Sequence, residues 1–454
     1  MGGSCERIDW ISMERLKRVW LGDAGGDQVA RLEFLAEQGL RLIMADVSPR
    51  GREALHFYNP RDGETLHLVS REGGGVIRRA AAFFPEARRW LDMMRGGEEG
   101  LAGEEPGTPL MPGDGILLAV SGGRVRRVSE IRREYPQGGL LARRSADAVA
   151  PLEESGGVEG PARTVAFLQA AEEARGMVVP ATAMAFRAVT LEVSRVYAHL
   201  LWISELCGVL GRKRLADSCD NLRRGVEEGM AGWLGHPLGR NWMVPGGLRE
   251  GFPLEGAGTA AECMAAGGRT WGERRDDMLS LPVPAWAERR LRPRAAEAAA
   301  AGWVGPLARA AGLERDVRAE EPCPCAGADW RMEIPPERGG LLGRMLAIKA
   351  GEIASSLAMA GRILEDMPEG ELRVERGRGG NGRGFGRCEG PGGELCCHLA
   401  LEKGRVAYMA MSLPGELNRS ASAFLEGSWL DEMEVLSLLW TDYGIPRREP
   451  AFSQ

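Results

Sequence analysis

The spacing of apolar and polar positions divides this chain into a short-stranded N-terminal part and a longer, mostly helical remainder. Leu40 to Val47, Ala54 to Asn59 and Thr65 to Ser70 are brief apolar-rich runs, separated by Pro49-Arg-Gly and Pro60-Arg-Asp-Gly, and they predict strands joined by turns. Gln28 to Gly39 carries a short amphipathic helical pattern, and Ile77 to Met94 reads as a strand running into a helix. The Gly-, Glu- and Pro-rich stretch Gly96 to Gly115 marks a boundary. After it, Ile116 to Val128 predicts a hairpin turning at Ser121-Gly-Gly, and from Pro161 the pattern is mostly helical. The longest helix spans Ala181 to Leu210; another, Leu341 to Met367, is stopped by Pro368 and Gly370. Arg376 to Gly393 reads as a Gly/Arg loop, Leu395 to Met411 as two strands turning at Lys403-Gly404, and Phe424 to Tyr443 as a final helix.

These elements imply an α+β fold. A small α+β domain (residues 1–98) leads through a linker (99–115) into a mainly helical domain (116–454) with peripheral antiparallel hairpins. No internal repeat interrupts this order.

Composition narrows the class. With 454 residues, 44% apolar and 27% charged, the chain is an ordinary globular one with room for more than one core. A net charge of −6 argues against a nucleic-acid binder, and only Lys17, Lys213, Lys349 and Lys403 are lysines. The first 20 residues lack the apolar region of a secretory signal, and no uncharged run approaches the ~18–20 residues that span a bilayer. The expectation is a cytoplasmic chain, or one peripheral to a membrane partner. Nine cysteines without a repeated spacing point to reduced thiols.

Candidate chemistry centres on Glu192, Arg195 and His199. Their spacing of three and four residues places them on one helical face. Either they form a buried polar cluster beside a redox or proton-handling site, with His199 titrating near neutral pH, or they are a local Glu–Arg pair with a solvated histidine. The apolar neighbours Val196, Leu200, Leu201 and Trp202 favour a central helix. Cys323 and Cys325, with Cys388, Cys396, Cys397 and His398, are metal-ligating residue types. Structural zinc pairs are spaced by two to four residues, whereas here one residue separates the first pair and none the last, so buried thiols are expected instead. The Gly/Arg run Arg376–Arg387 has the composition of an RNA-binding segment, but a single short run is more often a loop. Dinucleotide, phosphate-loop and Gly-x-Ser-x-Gly fingerprints are missing.

The order of several segments resembles that in [NiFe] hydrogenase large subunits and in their relative, the quinone-site (D) subunit of respiratory complex I. Ile116 to Arg133 is similar to the family's N-terminal hairpin, and Ala166 to Pro180 to the helix and turn after its first metal-ligand motif. Leu191-Glu-Val-Ser-Arg-Val-Tyr-Ala-His-Leu200 resembles its E-x-x-R-x-x-x-H-L helix, and Asn241 to Gly247 its Arg-Pro-Gly-Gly turn. Gly302 to Pro306, Ala308 to Gly312 and Asp316-Val-Arg318 resemble its G-x-x-G-P…R-A-S-G…D-x-R stretch, and Glu389 to Glu394 its E-x-x-R-G-E hairpin. Residues 30–95 resemble the complex I C subunit, which implies a C–D fusion.

The resemblance implies a framework of Glu192, Arg195, His199, Arg309, Asp316 and Arg344, packed against an iron–sulfur small subunit. Arg195 and Arg240 are then the residues near the partner's cluster. The four thiolate positions of a [NiFe] site fall on Gly156, Glu159, Asp442 and Ile445, so no nickel–iron centre and no metal held by this chain are expected. The quinone ligands of the complex I relative are also replaced: Pro112-Gly-Asp-Gly115 stands for its His loop, Gly157 for its Tyr and Val209 for its Asp. The expected function is that of a subunit of a complex I-like (NADH-quinone oxidoreductase) or energy-converting-hydrogenase-like assembly. Its partners would be iron–sulfur and membrane subunits at the inner face of the cytoplasmic membrane, with a quinone as one acceptor and no nucleic acid. The alternative is a non-catalytic structural subunit of such a complex.

Overall fold

The computed structural model describes residues 18–21, 28–47, 52–61, 63–72, 75–84, 86–87, 108–109, 116–130, 145, 147, 149–290, 295–321, 340–374, 380–429, 432, 435–436 and 438–439. The N-terminal strands form one sheet of β1 (Arg18–Leu21), β2 (Arg41–Val47), β3 (Arg52–Tyr58) and β4 (Thr65–Glu72), ordered β1-β4-β3-β2. Strands β2, β3 and β4 pair antiparallel, and β1 joins β4 in parallel. Helix α1 (Gln28–Glu37) covers the sheet with Leu32 and Leu35. The expected strand at Ile77 is instead the start of a short helix, α2 (Val76–Ala80). Gly75 enters it in the left-handed conformation, and the Glu53 carboxylate accepts the Ile77 amide at 2.8 Å, so helix geometry satisfies a group that strand pairing would have claimed.

The hairpin after the linker is β6 (Ile116–Ser121) and β7 (Arg124–Glu130), with the two-residue stretch β5 (Thr108–Pro109) on the outer edge of β6. Gly122 and Gly123 both take positive φ, as a tight two-residue turn requires. Helices α3 (Ala150–Ser155) and α4 (Gly160–Arg175) follow, and then α5 (Ala181–Val209), 29 residues and about 44 Å long. Helix α5 is apolar almost all round, which is the pattern of a helix buried on every side. It packs with α6 (Lys213–Leu234) and, beyond α7 (Ala257–Leu279), with the second long helix α8 (Gly340–Glu365), and the four share one core.

Strands β10 (Gly382–Gly390), β11 (Gly393–Glu402) and β12 (Arg405–Ser412) form an antiparallel meander, preceded in the chain by the small hairpin β8 (Met243–Val244) and β9 (Gly247–Leu248). The expected Gly/Arg loop, Arg376–Gly393, is therefore strand from Gly382 onward, and residues 376–379 lie outside the described residues. The reason lies in Gly382, Gly384 and Gly386, which face α4. A Cβ on them would stand 2.0, 1.9 and 1.8 Å from the carbonyl oxygens of Ala174, Ala170 and Ala166. Four residues of helix rise about 6 Å and two of strand nearly 7 Å, so alternate glycines keep step with every fourth alanine and the two backbones touch. The intervening Phe385 and Arg387 point the other way, towards the N-terminal sheet. The meander is thus a middle layer between α4 and the N-terminal sheet.

Charge closes the seam between the layers. Arg387 pairs with Glu394 (2.6 Å), Glu321 (2.9 Å) and Glu320, and Arg41 of β2 reaches Glu320 and Glu394 at 2.7 and 2.9 Å. The expected last helix, Phe424–Tyr443, begins differently, and much of it lies outside the described residues. Asn418–Leu425 is 3-10 helix, Gly427 takes positive φ, and Ser428 and Trp429 bond to the hairpin at Val125 and Arg124 instead of continuing a helix.

Candidate functional site: a buried charge hub on the central helix

The segments singled out in the sequence converge on one face of α5. Glu192, Arg195 and His199 are all buried there, and His199 and Arg195 are fully so. Arg195 donates to Glu192 Oε2 at 3.2 Å and, through its two terminal nitrogens, to the carbonyls of Gly390 and Glu389 at 2.8 and 2.7 Å. The meander is therefore clamped to the central helix by a guanidinium. His199 Nε2 meets Glu352 Oε2 of α8 at 2.7 Å, and Glu192 Oε2 accepts from Ser356 Oγ at 2.5 Å and from Arg318 at 3.3 Å.

The Gly302–Arg318 segment supplies the rest. Gly305 abuts the β10–β11 turn so closely that a Cβ would lie 1.9 Å from Gly392 O, and helix α9 (Gly305–Ala310) starts from that contact. Arg309 on it bonds Glu352 at 2.6 Å, Glu389 at 2.9 Å and Asp316 at 3.1 Å. Asp316 caps a short turn of helix by accepting the Arg318 amide at 2.9 Å and holds the Arg318 guanidinium at 2.7 Å. The second oxygen of Glu389 accepts the Val317 amide at 3.1 Å.

Three guanidiniums thus face four carboxylates in a site largely shielded from solvent, with only Glu352 part-exposed. Burial, reinforced by the neighbouring Asp316, raises Glu389 to about 7, while Arg309, Arg195 and Arg318 pull it down less strongly. With Glu389 protonated the three remaining carboxylates balance the three arginines. Glu192 and Glu352 are held ionised: burial opposes this, but Arg195 and Arg318 lower the first and Arg309 and His199 the second. His199 is lowered to about 3 by burial and by Lys349, so it is a neutral imidazole at pH 7. It does not titrate near neutrality as the sequence suggested, since that reading left out the burial cost of imidazolium. Its Nδ1 is buried without a hydrogen-bond partner. The group in this hub that can exchange a proton near pH 7 is Glu389.

A second polar joint orders the neighbouring turn. Glu172 of α4 takes both terminal nitrogens of Arg187 at 2.8 and 2.6 Å and also the Gly246 amide at 2.8 Å, fixing the hairpin that follows Asn241. Arg240 stands half-buried beside this hairpin and Glu153, with its Nε unpartnered. Arg195 and Arg240 are therefore unlike: the first is spent on internal bonds, the second lies nearer the surface. Arg344 is half-buried beside Gly312.

Gly156 and Glu159 sit at the joint between α3 and α4. A Cβ on Gly156 would lie 2.5 Å from Gly160 Cα, and Glu159 is buried with its carboxylate on the Gly392 amide at 2.9 Å. Gly157 takes positive φ and Val209 ends α5. Asp442, Ile445, Pro112 to Gly115, Cys323 and Cys325 lie outside the described residues. Cys396 and Cys397 project to opposite faces of β11, one into the N-terminal core and the other into the helical core, so they do not share one ligand site. Cys388 donates to Ala162 O at 3.3 Å, and burial pushes all three thiols up.

Sequence reasoning missed Glu352 as a hub residue. The available signal was a charge inside the apolar run Leu346 to Leu357. It also missed Asp46, His56 and His67, which stand at alternate-face positions of strands otherwise rich in apolar residues.

The family described as respiratory-chain NADH dehydrogenase, 49 Kd subunit, matches residues 222–381. The chain is 27% identical over 263 residues to the membrane-bound hydrogenase subunit alpha of Pyrococcus furiosus, covering 53% of this chain and 60% of that one. It is 28% identical over 224 residues to formate hydrogenlyase subunit 5 of Escherichia coli, covering 48% and 38%. It is 22% identical over 255 residues to the NADH-quinone oxidoreductase D subunit of Saccharopolyspora erythraea, covering 53% and 52%. The matches thus span roughly 40% to 60% of these relatives' lengths. A chain in the solved structure of the membrane-bound sulfane sulfur reductase, an archaeal respiratory membrane complex, shares the fold with a TM-score of 0.62 at 20% identity, covering 72% of this chain and 91% of that chain. Among the described residues no helix is long and apolar enough to cross a membrane. By these matches the chain is similar to the complex I 49 Kd (D) subunits and to subunits of membrane-bound hydrogenase and formate hydrogenlyase.

Proposed function

We propose that this chain is the large peripheral subunit of a membrane-bound complex I-like or energy-converting-hydrogenase-like oxidoreductase, docked against an iron–sulfur subunit at the inner face of the cytoplasmic membrane. The observation that carries the reading is the hub itself. The α5 triad, the Gly302–Arg318 segment and the Glu389–Glu394 hairpin resemble one family in sequence, and they meet in space through Arg195, Arg309 and Glu389. The N-terminal sheet, read as a fused C-subunit-like domain, packs on the same meander and extends the docking body. In this reading the half-buried Arg240 tunes a partner's cluster through its charge, whereas Arg195 holds the meander.

The site does not fit a nickel–iron centre. That group needs soft thiolates, and Gly156 has no space for a side chain while Glu159 offers a hard carboxylate already bonded to an amide. Electron transfer would therefore pass from the partner's cluster to an external acceptor such as a quinone. The same observation favours a second reading, in which the chain is a structural subunit that only docks its neighbours.

Purification in mild detergent, with metal analysis and mass spectrometry of what accompanies the chain, tests the proposal. Copurifying iron–sulfur and membrane subunits are the expected result, and a chain that purifies alone would refute it. Quinone reduction by the intact complex then separates the two readings. Arg240→Ala should shift the partner cluster's potential in a redox subunit and leave a purely structural one unchanged.

A further inference from the structure

Three of the chain's five histidines meet in one buried place between the N-terminal sheet and the meander. His56 of β3 and His67 of β4 are directly opposed in the strand register, with their Nδ1 atoms 2.7 Å apart. Asp46 of the neighbouring β2 receives His56 Nε2 at 2.9 Å and His398 Nδ1 of β11 at 3.0 Å, both on Oδ2. Its Oδ1 accepts the Tyr408 hydroxyl of β12 at 2.7 Å. Asp46, His56 and His398 are buried, and Phe385 stacks on the His56 ring at 4.5 Å. The one donor atom that each of the three residues offers lies within 4.8 Å of the other two.

We propose that Asp46, His56 and His398 bind a zinc-class divalent ion that staples the N-terminal sheet to the meander. The donor set is nitrogen and oxygen without thiolate, which zinc accepts at bond lengths of about 2.0–2.2 Å. Tetrahedral ligand atoms at that radius stand roughly 3.4 Å apart, so each imidazole needs to part from Asp46 Oδ2 by about 0.5 Å, and the two imidazoles need to close on each other by little more than 1 Å at most. The buried Asp46 carboxylate, set between two imidazoles, offers a cation an anionic oxygen ligand.

The surrounding residues suit the same role. Once His56 Nε2 takes the metal, its Nδ1 keeps the proton and donates to His67 Nδ1, the supporting bond that orients a metal-binding imidazole. The Tyr408 hydroxyl occupies Oδ1 and leaves Oδ2, the oxygen both histidines reach, for the ion. The ligands come from β2, β3 and β11, so binding couples the two layers that Arg41 and Arg387 join at the seam. The site rests on these residues alone and stands or falls apart from the proposed electron-transfer role.

Zinc analysis of the full chain, loaded with zinc and dialysed, is the test. One zinc per chain is expected, and cobalt exchanged for it should show visible ligand-field bands without thiolate charge transfer. His398→Gln and Asp46→Asn should abolish binding, and His67→Gln should weaken it about 10- to 100-fold. The Cys323→Ser, Cys325→Ser double variant should bind as the wild type does. A wild-type chain free of zinc after loading would overturn the proposal. So would thiolate bands in the wild-type cobalt spectrum, which decide the matter even if His398→Gln fails to fold.

Discussion

Replacing Gly384 by alanine tests the closest contact in the fold. The backbone angle there is open to alanine, so the perturbation is purely steric: the new methyl would lie 1.9 Å from the carbonyl oxygen of Ala170. Real contacts of this kind begin near 3.0 Å, so α4 and β10 must part by at least ~1 Å. They are not free to do so. Phe385 N bonds Glu173 at 2.7 Å and Arg387 N bonds Gln169 at 2.8 Å, and Gly382 and Gly386 hold the same helix on either side. Overpacking costs about 1–3 kcal/mol and each strained hydrogen bond about 1 kcal/mol, against less than about 1 kcal/mol gained from a stiffer unfolded chain. The expected loss is about 3–4 kcal/mol, read as a lower urea midpoint at unchanged slope. Gly272→Ala is the control, because that position is exposed within α7 with nothing within 4 Å, and it should gain about 0.5–1 kcal/mol. A Gly384→Ala protein as stable as the wild type would refute the packing account.

The hub gives two more predictions. Glu352→Ala strips the partner from His199 Nε2 and from one arm of Arg309, and should cost about 3–5 kcal/mol in urea unfolding; a loss below about 1 kcal/mol would show that the hub relaxes freely. Glu389→Gln changes the pH profile. The native state raises this carboxyl from 4.5 to about 7, so it binds more protons than the unfolded chain in that window, and stability falls as pH rises through it by up to about 1.4 kcal/mol per unit. His199, lowered from 6.5 to about 3, has the opposite sign: the native state binds fewer protons there, and stability rises with pH from 3 to 6.5. The wild-type profile is therefore partly cancelled between pH 4.5 and 6.5. The Gln variant should expose the rising His199 slope, and an unchanged profile would place Glu389 outside the titrating set.

Much of this was legible in the sequence, for local reasons. The 3.6-residue periodicity of Ala181–Leu210 gave α5 within a residue, and alternation with turn residues gave β2, β3, β4 and the β11–β12 hairpin. What local pattern could not give was partnership. Gly382-Arg-Gly-Phe-Gly-Arg387 looks like a flexible loop by composition, and it becomes a strand because Ala166, Ala170 and Ala174, more than 200 residues away, require a surface without side chains. Likewise Asp46, His56 and His398 look incidental until two sheets pack, since 352 positions separate the first from the last.

The hub's best-matched residues are committed to structure. Arg195 spends its donors on Glu192 and on two carbonyls of the meander, and Glu192, Arg318 and Asp316 are bonded to one another or to Ser356. Removing any of them leaves a buried charge unpaired and should cost about 3–5 kcal/mol, whether or not a reaction takes place nearby. These residues therefore serve the scaffold. Groups with capacity left over are the informative ones. His199 keeps an unpartnered Nδ1, Arg240 an unpartnered Nε, and Glu389 a proton that it can exchange near pH 7. His199 and Glu389 lie in the hub, on the arginine-bridged path between α5 and the meander, and Arg240 is half-buried nearer the surface. If the assembly moves protons or electrons through this chain, these three residues, more than the paired triad partners, are where rate and potential should respond.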